Sequence, residues 1–243
     1  ALVLEIDSPG GSVTASDEIY ARVMKFKETK HVPVVVSMGG LAASGGYYIA
    51  CAADKIVAER TTITGSIGVL MPRYDVSKLA ERWGIEDNSL HSTGATFKTA
   101  GSWFKPETEA EHKYWLSLLD DAFGTFKNVV KNGRGSALKR PIEDIADGRA
   151  YTASEALQLG LVDQLGYPND AYDVAATLAT LSNKYVVRYE PLPSLFEAFG
   201  ADSKLSPAKA QQTVNINGIN VNLQGQWLQE LMTPRMMYLW RGE

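Results

Sequence analysis

Two short apolar runs, each ending in glycine and joined by one helix-length segment, constrain the fold of this chain more than any other feature. Leu2-Val3-Leu4-Glu5-Ile6 runs into the turn Asp7-Ser8-Pro9-Gly10-Gly11, and Val32 to Ser37 is bounded by Gly39-Gly40. The intervening segment predicts a helix with Thr14 or Ser16 as its N-cap and Ile19, Val23 and Phe26 on one face. Strand, helix and strand in this order make a parallel βαβ unit. Both glycine turns then lie at the carboxyl ends of adjacent strands, where open α/β sheets build their sites.

The same alternation continues downstream. The small residues from Ala42 to Ala53 fit a tightly packed helix, and Lys55 to Ala58 a third strand that precedes the turn Thr64-Gly65-Ser66-Ile67-Gly68. Val76 to Trp83 reads as a short helix stopped at Gly84. The strongest helical periodicity covers Glu107 to Val130, opened by Pro106 and Glu107, with Trp115, Leu118, Ala122, Phe126 and Val129 in its apolar stripe. Shorter helices are predicted over Ile142 to Ala146, Ser154 to Leu159 and Asp170 to Leu181. The pattern specifies an α/β layered domain.

Composition bounds the rest. A chain of 243 residues can bury a full core, and 45% hydrophobic with 21% charged residues is ordinary for a globular protein. The net charge of −4 and the short basic clusters give no reason to propose a nucleic-acid partner. The single cysteine, Cys51, cannot form an internal disulfide, and no run of 18 apolar residues would span a bilayer. Because the chain opens directly on a strand-like run, further residues are expected before Ala1 in the full protein, any membrane anchor among them. The first 190 residues form the expected main domain. Beyond Glu190 proline, serine and glutamine rise, which predicts that 191–243 is a linker, a β-hairpin and a C-terminal tail suited to oligomerisation. Then Val214-Asn215-Ile216 and Ile219-Asn220-Val221 flank Asn217-Gly218, a strong hairpin signal. Leu231, Met232, Met236, Met237, Leu239 and Trp240 make an apolar tail, suited to packing on this chain or a neighbour, or to a membrane surface.

Chemistry concentrates around Ser44, in Gly39-Gly40-Leu41-Ala42-Ala43-Ser44-Gly45-Gly46-Tyr47-Tyr48. It follows a buried strand and stands at a predicted helix start, where free backbone amides favour negative charge. A tetrahedral oxyanion needs such donors, and glycines let a substrate backbone approach. A plain helix cap would occupy the same position, so location alone does not make Ser44 a nucleophile.

A serine hydroxyl also needs a base. Of the three histidines, His31 precedes a strand at the far edge and His112 sits on a charged helix face. His91 lies in a downstream loop. Lysine is the remaining choice, and it must be neutral to act. Bringing its ordinary pKa of about 10.4 down to near neutrality costs about 4 kcal/mol, which burial in apolar surroundings can supply. Lys98, in Gly94-Ala95-Thr96-Phe97-Lys98-Thr99, has small and aromatic neighbours; Lys105 before Pro106 is its rival. Lys55 and Lys78 read as surface lysines.

Taken together, Ser8-Pro9-Gly10-Gly11, Ala42 to Tyr48 and Thr64-Gly65-Ser66-Ile67-Gly68-Val69 resemble, in order and spacing, the signal peptide peptidase A (protease IV) family. The resemblance runs from Ala1 to about Asp173 and includes Ala146-Asp147-Gly148-Arg149 and Gly160-Leu161-Val162-Asp163. It implies a Clp protease/crotonase-like fold and a Ser/Lys dyad of the short, single-domain type, working without cofactor or metal. Ser44 matches the nucleophile, Gly11 and Gly45 the oxyanion-hole amides, and Ser66 the serine that orients the lysine. The segment Ser92 to Lys98 is longer than the family's short forms, as is Lys98 to Pro106, so Lys98 and Lys105 both stay open as the base.

The resemblance further implies a membrane-associated enzyme with its catalytic domain on the extracytoplasmic (periplasmic) side. It also implies a ring-like or dome-like homo-oligomer and peptide substrates derived from signal peptides. A dry cleft for the lysine predicts small or medium apolar side chains before the scissile bond, with Gly10 pairing an extended substrate. Leu41, Ala42, Ala43, Tyr47 and Met71 are the expected walls. Two other classes fit the scaffold, an acyl-CoA enzyme of crotonase type and an inactive membrane scaffold protein. Neither needs the set Ser44, Ser66 and Lys98.

Overall fold

β1 (Leu2–Ser8) runs into the short β2 (Gly10–Ser12), and α1 (Val13–Lys30) leads back to β3 (Val34–Ala43). α2 (Gly45–Ala50), β4 (Lys55–Ala58), β5 (Ile63–Gly65) and α3 (Ser77–Arg82) follow, then a 3-10 turn at Thr96–Thr99. The second half carries α4 (Glu109–Arg134), α5 (Ile142–Ile145), β6 (Ala150–Thr152), α6 (Ala153–Leu159), β7 (Gln164–Leu165) and α7 (Pro168–Leu178). Further on come β8 (Thr213–Ile216), β9 (Ile219–Asn222) and β10 (Met237–Leu239). This computed structural model describes residues 1–189 and the strand segments 213–216, 219–222 and 237–239. The chain divides into two units, Ala1–Lys184 with Arg235–Glu243, and Tyr185–Pro234.

β3 organises the main sheet, which is mixed and six-stranded. It pairs in parallel with β1 from Leu2↔Val34 to Ser8↔Ala42, with a register shift between Ile6 and Ser8. It also pairs in parallel with β4 through Val35 to Met38 and with β5 through Leu41 to Ala43. β6 adds antiparallel to β5, and β7 parallel to β4. Val34, Val35 and Val36 are all fully buried, as expected of a central parallel strand covered on both faces. The two-residue alternation divides them. Val34, Val36 and Met38 face the large core with Tyr47, Tyr48, Ile56 and Phe126. Val35 joins Val57, Ala171 and Ala175 beneath α7. The layered Clp protease/crotonase-like architecture expected from the sequence is the one observed.

Several element boundaries differ from the sequence reading, each for a tertiary reason. The run Ala42 to Ala53 does not begin as helix: β3 continues to Ala43 because β5 and Ser8 of β1 pair with its last residues. Only Gly45–Ala50 is α-helical. α1 starts earlier than predicted, with Ser12 as N-cap, and its buried residues are Ser16 and Val23. Ile19 is left exposed, and the stem of Lys27 takes the inner face, its Nζ donating to the Ala52 carbonyl and pairing with Asp54 at 2.9 Å. α4 is opened by a capping box between Thr108 and Glu111 rather than by Pro106 and Glu107. Its stripe behaves as expected, with Ala122, Phe126 and Val129 buried. β8 and β9 form the predicted hairpin, paired from Thr213↔Asn222 to Ile216↔Ile219. The linker 191–212, the Asn217-Gly218 turn and the apolar tail residues Leu231, Met232, Met236 and Trp240 lie outside the described residues. Among the described residues no helix is long and apolar enough to cross a membrane.

A buried ion pair ties the second half to the sheet. Arg134, near the end of α4, donates to the Gly160 carbonyl at 3.0 Å and to Asp163 at 2.9 Å. Asp163 also accepts from the Ile56 amide at 2.8 Å and pairs with Lys55 at 3.1 Å. Burial pushes the Asp163 carboxyl up, but Arg134, the Ile56 amide and Lys55 outweigh it and hold it below the usual carboxylate range. Asp163→Asn is therefore expected to destabilise the protein by about 3 kcal/mol or more, because Arg134 stays buried without its counter-charge. The native carboxylate's contribution is complete above its unfolded pKa of about 3.9 and is lost as pH falls through the depressed folded value. Denaturant midpoints of the wild type and Asp163→Asn should accordingly converge as pH drops below about 4.

Candidate active site

The parallel pairing of β1 and β3 brings two turns together at one end of the sheet. β1 ends at Ser8, whose Oγ accepts from the Gly10 amide at 3.2 Å and shapes the turn into β2. β3 ends at Ala43, and Ser44 follows as N-cap of α2. A Cβ on Gly45 would lie 3.2 Å from the Gly11 nitrogen and 3.2 Å from the Gly10 Cα. The peptide of Gly11 thus lies directly against Gly45. Only glycine at 45 permits that approach. Gly11 itself has open space where a Cβ would stand.

Ser44 has φ 54 and ψ −115, a conformation that a residue with a side chain rarely adopts and that costs on the order of 1–3 kcal/mol. The surroundings impose it. Its amide donates to the Gly65 carbonyl at 2.8 Å, and its carbonyl accepts from the Tyr48 amide at 2.8 Å. The side chain is almost wholly buried, yet its Oγ has no hydrogen-bond partner among the described residues. A helix cap would spend that oxygen on a backbone amide, and Ser44 makes no such bond. Ser44 is thus a strained serine with an unspent hydroxyl beside two glycine peptides.

Ser66 belongs to the same corner. It follows Gly65, whose carbonyl holds the Ser44 amide, and both residues have positive φ, 78 for Gly65 and 49 for Ser66. The Ser66 amide donates to the Arg149 carbonyl at 2.9 Å, and the Gly148 amide to the Ile67 carbonyl at 3.1 Å. The segment Ala146 to Arg149 therefore braces the Ser66 loop, a role its sequence did not disclose. Asp7 was likewise not singled out. Its Oδ1 accepts from the Leu41 amide at 2.9 Å and locks the β1 turn to the β3 glycines.

The lysines are placed differently. Lys105 donates to Glu111 at 2.9 Å and to the Thr99 hydroxyl at 3.2 Å. Burial pushes the Glu111 carboxyl up, but its Thr108 and Lys105 partners prevail and hold it below its ordinary value, and Lys105 is engaged in that ion pair. Lys98 is exposed, at the 3-10 turn, with no hydrogen bond or ion pair to its Nζ among the described residues. Among the described residues the apolar burial expected for it is not found, and no hydrogen bond joins it to Ser44 or Ser66. Among the described residues no hydrogen bond joins a histidine to the Ser44 hydroxyl. His31 caps α1, His91 lies 3.1 Å from the Ser92 carbonyl, and His112 pairs with Glu107 at 3.1 Å.

The expected pocket walls divide as well. Leu41 and Met71 are half-buried, near the surface, whereas Ala42 and Ala43 are fully buried in β3. Tyr47 is a core residue, not a wall. Its ring is fully buried and its hydroxyl donates to the Leu161 carbonyl at 2.9 Å. Beside it, burial pushes the Cys51 thiol up to about 12, which leaves it inert. Among the described residues no cluster of His, Cys, Asp or Glu could hold a metal ion.

The layered sheet with a strained serine at the carboxyl end of its central strand is a peptidase scaffold of the Clp protease/crotonase type. The chain belongs to peptidase family S49, whose model matches residues 26–182. It is 38% identical over 208 residues to a proposed protease of Synechocystis sp., covering 84% of this chain and 73% of that protein. A proposed signal peptide peptidase SppA of Enterococcus faecium is 36% identical over 78% of this chain and 54% of its own length. A chloroplastic serine protease SPPA of Arabidopsis thaliana is 32% identical over 95% of this chain and 35% of its own. These matches support a protease as the activity class.

The two glycines at the site should differ sharply on substitution. Gly45→Ala places a methyl against Gly10 and Gly11 and is expected to cost about 1–3 kcal/mol of stability, the range for overpacking. Gly11→Ala meets open space and should stay within about 0.5 kcal/mol of the wild type. Urea denaturation of the purified variants measures both.

Proposed function

We propose that the chain is a serine endopeptidase in which Ser44 attacks the peptide carbonyl and Lys98 is the general base. The observation that carries this reading is the Ser44 hydroxyl, buried and unpartnered on a strained backbone beside the Gly11 and Gly45 peptides. In the reaction the neutral Lys98 amine takes the Ser44 proton as Oγ bonds to the substrate carbonyl carbon. Negative charge then grows on the carbonyl oxygen, where the amides of Gly11 and Gly45 stabilise it. The protonated lysine returns the proton to the departing amine, and water hydrolyses the acyl-enzyme with the same lysine as base. Ser66 orients the lysine from the adjoining loop.

Lys98 is preferred over Lys105 because the Lys105 amine is already engaged by the Glu111 carboxylate and the Thr99 hydroxyl. As a base, Lys98 needs a drier setting than the described residues supply. In the segment leading to it, Leu79, Trp83, Leu90 and Phe97 are exposed, Trp83 at 74% and Leu90 at 98%, more apolar surface than a solvated segment needs. A homo-oligomer that buries this surface would remove water from around Lys98 and give it the apolar setting a lysine base needs.

Backbone geometry supports a substrate class. β10 pairs antiparallel with β2, Tyr238 opposite Gly11 and Leu239 opposite Gly10, so this edge accepts an extended chain through main-chain hydrogen bonds. Extended apolar peptides such as signal-peptide remnants fit that requirement, with small or medium apolar side chains before the scissile bond. The membrane-associated, extracytoplasmic setting expected from the family resemblance is where such remnants arise.

A fluorophosphonate probe followed by peptide mass spectrometry should place the label on Ser44, and Ser44→Ala should fold normally without turnover. An acyl-CoA enzyme or an inactive scaffold would remain unlabelled. Lys98→Met is expected to abolish turnover and Lys105→Met to retain most of it; the opposite pattern would move the base to Lys105. Because β10 covers the edge of β2, deleting residues 235–243 should lower KM for peptides several-fold at unchanged kcat. An unchanged KM would show that substrate binds elsewhere.

A further inference from the structure

We propose that Ser16 is a positioning residue for the oxyanion hole, fixing the spacing between the Gly11 and Gly45 amides. The inference rests on the reading of Ser44 as nucleophile. Ser16 lies on the inner face of α1, only 5% exposed, one helical turn after Ser12 at the end of β2. Its Oγ donates to the Ser12 carbonyl at 2.9 Å. The same Oγ is 2.4 Å from the position that a Cβ on Gly45 would take, so the hydroxyl stands directly against the Gly45 backbone. One oxygen thus touches both segments that supply the oxyanion amides: the strand carrying Gly11 through Ser12, and the helix start carrying Gly45.

Helix stability does not account for a serine here. The Ser12 carbonyl is the ordinary i−4 partner of the Ser16 amide, so the hydroxyl adds a second bond to an acceptor already served. Alanine forms helix more readily than serine, and such back-bonding slightly weakens a helix. Packing volume argues the same way. A larger side chain would push Gly45 away from Gly10 and Gly11, whereas alanine would leave the two segments free to close or slide. Serine fills the gap with a polar atom anchored to β2, which makes the separation of the two peptides a fixed length. Oxyanion donors act over a range of about 2.7–3.1 Å, so a small shift in that length weakens transition-state stabilisation while leaving substrate binding along β2 intact.

The test is Ser16→Ala in the full chain, assayed with a chromogenic apolar peptide and a peptide aldehyde inhibitor. A positioning role predicts a kcat lower by roughly tenfold with KM within about twofold, as expected for a slight misplacement of catalytic groups. Aldehyde affinity should fall in parallel, since its hemiacetal oxygen needs the same amides. The pH midpoint of kcat should not move, because the base is untouched. A Ser16→Ala enzyme with wild-type kcat and aldehyde affinity overturns the proposal, whatever its melting temperature. The wedge contact has its own check. Gly45→Ala should shift the urea midpoint less in a Ser16→Ala background than alone, and additive shifts would also overturn it. If Ser44→Ala retained turnover, the nucleophile reading would fail instead.

Discussion

The backbone contact between Gly45 and the Gly10-Gly11 turn is the constraint on which the rest of this structure depends. It exists because β1 and β3 run parallel and end together, and because neither turn carries a side chain at the point of approach. Everything near the site is arranged to hold that contact. Asp7 ties the first turn to the Leu41 amide, Ser8 closes the turn on Gly10, and Ser16 stands between β2 and α2. From the other side, the Gly65 carbonyl fixes the Ser44 amide while the Arg149 carbonyl holds Ser66. The strained conformation of Ser44 is over-determined by these hydrogen bonds, which is how a sparsely populated backbone state persists in a folded protein.

A second layer of structure lets the first stay rigid. Tyr48 donates to Asp17 at 2.6 Å and packs against Tyr20 and Phe126, fixing α2 between α1 and α4. Tyr47 reaches the Leu161 carbonyl, and Arg134 clamps Gly160 and Asp163. Both tyrosines are fully buried, and both anchor the helix that follows Ser44. Rigid support of this kind suits electrostatic stabilisation, where the donors must already be in place when charge develops. The lysine is the contrasting part. Its segment has few buried residues among the described ones, and the environment of Lys98 there is solvent-exposed.

The strands, the long helix and the order of the glycine turns were legible in the sequence because each is set by local pattern: β-branched runs for β1, β3 and β4, and a sustained 3.6-residue stripe for α4. From them followed the parallel βαβ unit and the placement of Ser44 beside Gly11. The helix proposed across Ala42 to Ala53 was not correct in its first residues. Small residues suit helix and strand alike, and the pairing of β5 with Leu41 to Ala43 decided between them. Ile19 on α1 showed the same limit, since the buried face was chosen by what packs against it: Gly45 takes Ser16, and the Ala52 carbonyl takes Lys27.

Sequence by itself thus determined the fold class, the serine and its glycines, since covalent order and periodicity fix which turns meet at one end of a parallel sheet. Tertiary structure alone decided which residues hold that meeting at its working distance. Ser16, Asp7 and the Ala146 to Arg149 brace act through contacts between segments far apart in the chain or through a choice of helix face, and no local pattern encodes those. It also separated the two lysines, pairing Lys105 with Glu111 and leaving Lys98 exposed. The physical reason is that a charge's state depends on what surrounds it in space, and neighbours in space are chosen by packing rather than by sequence order.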